Sequence, residues 1–162
     1  MLAAAFDAAA KDATVEVPGA LNPDNRSIFN VVSATGVQIY SCTRNPAGAI
    51  GWVFKGPEAQ LFDAQDKPVG KHYAGPRWES FDGSTIAGTL RERIDAPQAD
   101  AIPWVLLTAK SVGPEGSFSK VTSIQRVNTV GGIAPKNGCS QATVGTPARI
   151  NYTADYYFFI AK

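Results

Sequence analysis

Ile150-Asn151-Tyr152-Thr153-Ala154-Asp155-Tyr156-Tyr157-Phe158-Phe159-Ile160 is the stretch on which the fold turns. Ile150, Tyr152, Ala154, Tyr156, Phe158 and Ile160 make one unbroken apolar row. The residues between them begin polar at Asn151, Thr153 and Asp155, then turn aromatic at Tyr157 and Phe159. A period of two puts alternate side chains on opposite faces of an extended chain, whereas a helix needs 3.6. β-Branched and aromatic residues also suit the pleat. The segment predicts a strand with one continuous buried face and a second face buried only toward its end.

The same period recurs upstream. Val37-Gln38-Ile39-Tyr40-Ser41-Cys42 reads as a strand, and Trp52-Val53-Phe54 as a short one stopped by Gly56-Pro57. Glu58 to Phe62 follows; Asp63-Ala64-Gln65-Asp66-Lys67-Pro68 has turn chemistry, and Val69 to Tyr73 returns antiparallel. After the turn dipeptide Asp82-Gly83, Ile86, Gly88, Leu90 and Ile94 alternate with Thr85, Thr89, Arg91 and Arg93. Glu92 interrupts the apolar side, so this strand is expected to fray or reach solvent at its end. Trp104 to Ala109 is apolar on both sides and predicts a central strand, with Pro103 at its mouth where a missing N–H costs least. Val121 to Thr129 follows, then a Gly131-Gly132 and Pro135 loop to Cys139.

No repeat, linker or charge block marks a boundary. The reading is one all-β domain over 15–162, an antiparallel β-sandwich or barrel of about seven to nine strands. Residues 1–14, with their alanine run, read as an arm that is flexible or forms a short helix, alanine being the best helix former. The arm has no basic leader and is too short for a signal h-region, so it reads as the start of a mature chain.

The chain has 162 residues, with Lys+Arg 15 against Asp+Glu 14, and 44% hydrophobic but only 18% charged residues. Such near-neutrality, without a basic stripe, argues against a nucleic-acid partner held through phosphates. The longest aromatic-apolar run, Tyr156 to Ala161, falls far short of the ~18 residues of a membrane helix. Cys42 and Cys139 are two inert thiols or one disulfide. Low charge, 15 glycines, 11 prolines and many short strands point to a secreted or periplasmic chain, which favours the disulfide.

Chemistry-bearing motifs are sparse. There is no G-x-S-x-G, G-x-G-x-x-G, Walker loop or H-E-x-x-H. One histidine and two distant cysteines cannot build an ordinary zinc site, so no metal and no cofactor is expected. The densest cluster is His72-Tyr73-Ala74-Gly75-Pro76-Arg77-Trp78-Glu79-Ser80-Phe81-Asp82-Gly83-Ser84. In it His72 is a natural proton shuttle that Glu79 or Asp82 could orient, and Tyr73 and Trp78 could wall a ring-shaped ligand. The bland alternative makes His72 a hydrogen-bonded core residue, Asp82 a turn cap and Trp78 core. A second candidate rim is Arg126 and Asn128, placed on one face of a strand running into the glycine loop, with Tyr157 and Phe159 as aromatic neighbours. Arg91, Glu92 and Arg93 read as a solvated edge without a site.

Taken together, the ordered motifs resemble one known family. They are Gly36-Val37-Gln38-Ile39-Tyr40-Ser41-Cys42, Gly56-Pro57-Glu58-Ala59-Gln60-Leu61, His72-Tyr73-Ala74-Gly75-Pro76-Arg77-Trp78, Asp82-Gly83-Ser84 and Ile102-Pro103-Trp104-Val105-Leu106-Leu107. Gln125-Arg126-Val127-Asn128-Thr129 with Gly131-Gly132, then Cys139, then Tyr152-Thr153-Ala154-Asp155-Tyr156-Tyr157-Phe158 complete the set. The chain resembles DUF3455, small exported proteins of bacteria and fungi. The resemblance implies an exported β-rich domain and strengthens the Cys42–Cys139 disulfide; it assigns no catalytic or binding residue. Three functions are therefore weighed. The first is a module binding a small molecule or glycan in an aromatic-lined pocket, through Tyr73, Trp78, Arg126, Asn128 and Tyr157. The second is a secreted enzyme using His72 with Glu79 or Asp82, and the third a structural or effector surface protein.

Overall fold

The computed structural model describes residues 16–162, so the expected arm over 1–14 lies outside the described residues. Eight strands follow one another: β1 Arg26–Arg44, β2 Ile50–Phe62, β3 Pro68–Tyr73, β4 Arg77–Ser80, β5 Thr85–Ile94, β6 Trp104–Ser111, β7 Val121–Gly131 and β8 Pro147–Ala161. Each pairs antiparallel with the next. β8 then pairs with β1 from Arg26↔Ala161 to Ser41↔Pro147, which closes the sheet into a barrel. Closure leaves no sheet edge along these two long strands.

The period of two is what fills the barrel. On β8, Tyr152, Ala154, Tyr156 and Phe158 are buried and join the main core. On β1 the inner row is Val32, Ala34, Gln38, Tyr40 and Cys42, all buried. β6 is apolar on both sides because it has two cores to serve. Val105 and Leu107 point inward. Trp104 and Leu106 point outward, with Val127, beneath a short 3-10 turn at Gly19–Leu21 that supplies Leu21. Gln125 Nε2 donates to the Leu21 carbonyl at 2.8 Å and holds this strap in place. Tyr157 packs against the same outer cluster, and Phe159 is buried, so the end of β8 is covered on both faces as its sequence predicts.

Two local expectations are corrected. Gly56-Pro57 does not stop a strand: β2 runs through it, and the ladder to β1 shifts register opposite Ile39 and Tyr40. β5 does not fray at Glu92. A bulge between Leu90 and Glu92 takes up Arg91 as an extra residue, and pairing continues to Ile94↔Trp104. The bulge reverses the phase of everything after it. Leu90, opposite Leu107, and Arg93, opposite Val105, therefore share the inner row, while Ile94 goes to the outer cluster.

The wall is uneven in height. β3 pairs with β2 only over Glu58–Phe62, and β4 pairs with β5 only over Thr85–Ala87. Ile50–Lys55 of β2 and Thr89–Ile94 of β5 thus rise above the short β3–β4 hairpin with no strand between them. The opposite end is shut. The segment between β6 and β7 carries Phe118 into the core, its ring 5.0 Å from that of Phe158. Asp82 clasps this plug. Its carboxylate accepts from Ser84 N and Oγ at 2.9 and 2.6 Å and from Ser117 N and Oγ at 2.7 Å each. Ser84 Oγ in turn accepts from Phe118 N at 3.0 Å. Those four donors, the Ser84 hydroxyl foremost, hold the Asp82 carboxyl well below the usual carboxylate range.

Cys42 and Cys139 form a disulfide that ties the top of β1 to the long β7–β8 connection. Outside the barrel, charges meet in pairs: Lys71 with Glu79 at 3.0 Å and Arg149 with Glu58 at 2.6 Å. Apolar inside and charged outside is the reverse of a membrane-spanning barrel. Among the described residues no helix is long and apolar enough to cross a membrane.

Candidate ligand site at the mouth of the barrel

The gap above the β3–β4 hairpin opens into a cavity of about 370 Å³ inside the upper barrel. That is within the range of small-molecule sites. β1 contributes Gln38 and Tyr40, and β2 contributes Phe54 from its bulged end. β5 contributes Leu90 and Arg93 from either side of its own bulge. Ile102, Pro103, Val105 and Leu107 make the far wall, and Arg126 enters from β7. Phe54 and Leu90 are 52% and 53% exposed, so two large apolar side chains flank the opening without cover from the rest of the described chain.

The roof is set by Gly132. Its φ of +90° is a conformation that side chains rarely adopt. A Cβ there would stand 3.0 Å from Ile102 Cγ2 and 3.1 Å from Gln38 Cγ. Glycine lets the β7–β8 connection fold over the cavity, and the Tyr40 hydroxyl pins it by donating to the Gly132 carbonyl at 2.6 Å. Burial raises the Tyr40 pKa, against the opposing charge of Arg126.

Arg126 is the chemically distinctive group. Its Nε and Nη2 both donate to the Pro103 carbonyl, at 3.0 and 2.7 Å. A guanidinium carries five N–H bonds, so three are left for other acceptors. The half-buried cation has no carboxylate in ion-pair range among the described residues. Gln38 adds a second unmet demand. It is 1% exposed, and its Oε1 has no hydrogen-bond partner among the described residues.

The other candidate residues are dispersed. His72 and Trp78 face inward, below the mouth. Their rings stack at 4.3 Å, with Tyr156 edge-on at 5.1 Å from His72 and 5.5 Å from Trp78. His72 Nδ1 donates to the Arg77 carbonyl at 2.7 Å. Glu79 lies beside Lys71 on the outer face, and Asp82 belongs to the clasp at the closed end, so the three groups considered for catalysis are not brought together. Tyr73 is on the outer face, with Lys71 Nζ 5.5 Å above its ring, and Tyr157 is under the Leu21 strap. Arg126 and Asn128 do not share a face. A register shift between Val127 and Val130 separates them, and Asn128 Nδ2 donates to Asp155 Oδ2 at 2.7 Å. Of the five residues expected to bind ligand, only Arg126 lines the mouth. Arg93, read as a solvated edge, lines it too. Gln38 and Tyr40 carried a usable signal, an amide and a phenol in an otherwise apolar inner row.

Burial dominates the chemistry of His72 and lowers its pKa from 6.5 to about 3, with the Arg126 charge acting the same way and the Arg77 carbonyl opposing. The unfolded chain therefore binds more protons than the folded one between these values. The stability that rests on neutral His72 is complete above pH 6.5 and is lost as pH falls toward 3, at up to ~1.4 kcal/mol per unit. Chemical denaturation from pH 7 to 4 should show this slope, and His72→Phe should flatten it. An unchanged slope in a folded His72→Phe protein would assign the acid sensitivity elsewhere.

The sequence pattern of DUF3455, described as a protein of unknown function, matches residues 23–160. The chain belongs to the DUF3455 family. The match covers all of the barrel but the last residue of β8, and takes in every residue of the mouth. No curated protein and no solved structure matches this DUF3455 chain.

Proposed function

We propose that this DUF3455 protein is an exported β-barrel module that binds a small molecule in the mouth of its barrel. The observation that carries the reading is one cavity in which an apolar wall, exposed Phe54 and Leu90, a buried unpartnered Gln38 and an uncompensated Arg126 converge. A few fixed polar groups in an apolar concavity are what orient a small ligand. Eight-stranded barrels are wide enough to hold one. The disulfide supports an oxidising compartment.

A compact ligand suits the walls better than a glycan chain. Leu90, Ile102, Val105 and Leu107 offer no hydrogen bonds, and the Tyr40 hydroxyl is committed to Gly132. Catalysis has less to stand on, because His72 is apart from Glu79 and Asp82 and no carboxylate lines the mouth.

A thermal-unfolding screen of small metabolites, organic acids and oligosaccharides tests the proposal. A ligand at ~100 times its Kd adds about 2.7 kcal/mol, or roughly 5–10 °C for a domain of this size. The shift should vanish in Leu90→Arg, which places a long side chain across the opening. A flat screen, or a shift that Leu90→Arg leaves intact, would rule out the mouth as the site.

A further inference from the structure

Resting on that reading of the mouth, we infer that its ligand is a small amphipathic carboxylate, the head group held by Arg126 and the apolar body lying against Phe54, Leu90 and Val105. Charge makes the first argument. The cavity is lined by two arginines and no acidic residue. The three free N–H bonds of Arg126 form a fork that matches a carboxylate. A cation taken partly out of water without a partner is destabilising, and an anionic ligand removes that penalty.

The buried amide makes the second. Gln38 stands on the inner row of β1 and lines the same cavity as Arg126. A buried polar group without a partner carries a desolvation cost that a polar ligand relieves. Turned about its last torsion, the amide presents Nε2 as a donor to the anion that Arg126 holds. Arg93 stands exposed at the rim, where a cation raises the rate of anion entry. The remaining wall is hydrocarbon, so a fully hydrated inorganic anion would leave it unmatched. Head and body must belong to one molecule.

Calorimetric titration of the oxidised, full-length protein at neutral pH tests this with matched pairs, 4-phenylbutyrate against 4-phenylbutyramide and octanoate against octanamide. At least one carboxylate should bind about tenfold or more tighter than its amide, the effect of one charge-assisted hydrogen bond. Arg126→Gln should bring the pair within about twofold. Because that variant could lose its fold along with the Pro103 contact, its unfolding temperature is measured alongside. Arg93→Gln, at the exposed rim, serves as the second variant and should weaken carboxylate binding and reduce its salt dependence. Acid and amide binding equally, with both blocked by Leu90→Arg, would overturn the anion inference and leave the mouth as a neutral-ligand site. Failure of all four compounds to bind would overturn it as well, and a hit from the wider screen blocked by Leu90→Arg would then still support the mouth.

Discussion

Trp78→Ala lowers the unfolding free energy by ~3–5 kcal/mol, the range for deleting a large buried aromatic side chain. Trp78 is 1% exposed, stacked on His72 and edge-on to Tyr156. Its niche is cut by Gly88, where a Cβ would come within 2.9 Å of the Trp78 ring and 3.0 Å of Leu107 Cδ2. Nothing nearby can expand into the space, so a cavity persists and its cost adds to the lost burial. For a domain of this size the melting temperature should fall by roughly 6–20 °C. Urea denaturation of wild type and variant measures the difference. A variant as stable as wild type would mean that Trp78 is not part of the core that holds the barrel. Ligand binding by the fraction that remains folded should persist, because the Trp78 ring lies below the mouth and does not line it.

Removing the disulfide is the second large effect. Cys42 and Cys139 are separated by 97 positions, and cross-linking so long a loop stabilises by roughly 4–5 kcal/mol in the chain-entropy account. The link also braces the connection that roofs the mouth, since Gly132 and Cys139 lie on the same excursion between β7 and β8. The Cys42→Ala, Cys139→Ala double variant should melt roughly 10–20 °C below wild type. It should also lose ligand affinity at temperatures where it is still folded. Thermal unfolding of the oxidised, reduced and double-variant proteins distinguishes the cross-link from side-chain packing. If reduction leaves the midpoint unchanged, the connection is held by its hydrogen bonds, Tyr40 to Gly132 above all.

Much of the barrel was legible in the alternation of apolar residues, because closure demands that every strand present one apolar row inward. Tyr152 to Phe158 and Val37 to Cys42 show this directly. What alternation cannot reveal is a change of phase. The bulges after Ile39, Leu90 and Val127 each insert a residue, and each moves a side chain to a different face. Arg93 was misread for that reason, as was the pairing of Arg126 with Asn128. The mouth is also a product of unequal strand lengths. The β3–β4 hairpin stops short of β2 and β5, and no local feature of either strand announces the gap. The cluster from His72 to Ser84 drew attention because it concentrates polar and aromatic types. The barrel distributes those types between its core, its outer face and its closed end.

The central claim is that ligand enters at the mouth, above the β3–β4 hairpin, and nowhere else. Backbone amide chemical shifts recorded during a titration with 4-phenylbutyrate test it most directly. The account predicts shifts concentrated at Phe54, Arg93, Ile102, Arg126 and Gly132, with Ser84, Ser117 and Phe118 at the closed end unmoved. Shifts centred on the closed end, or on the outer face around Tyr73 and Arg149, would contradict it.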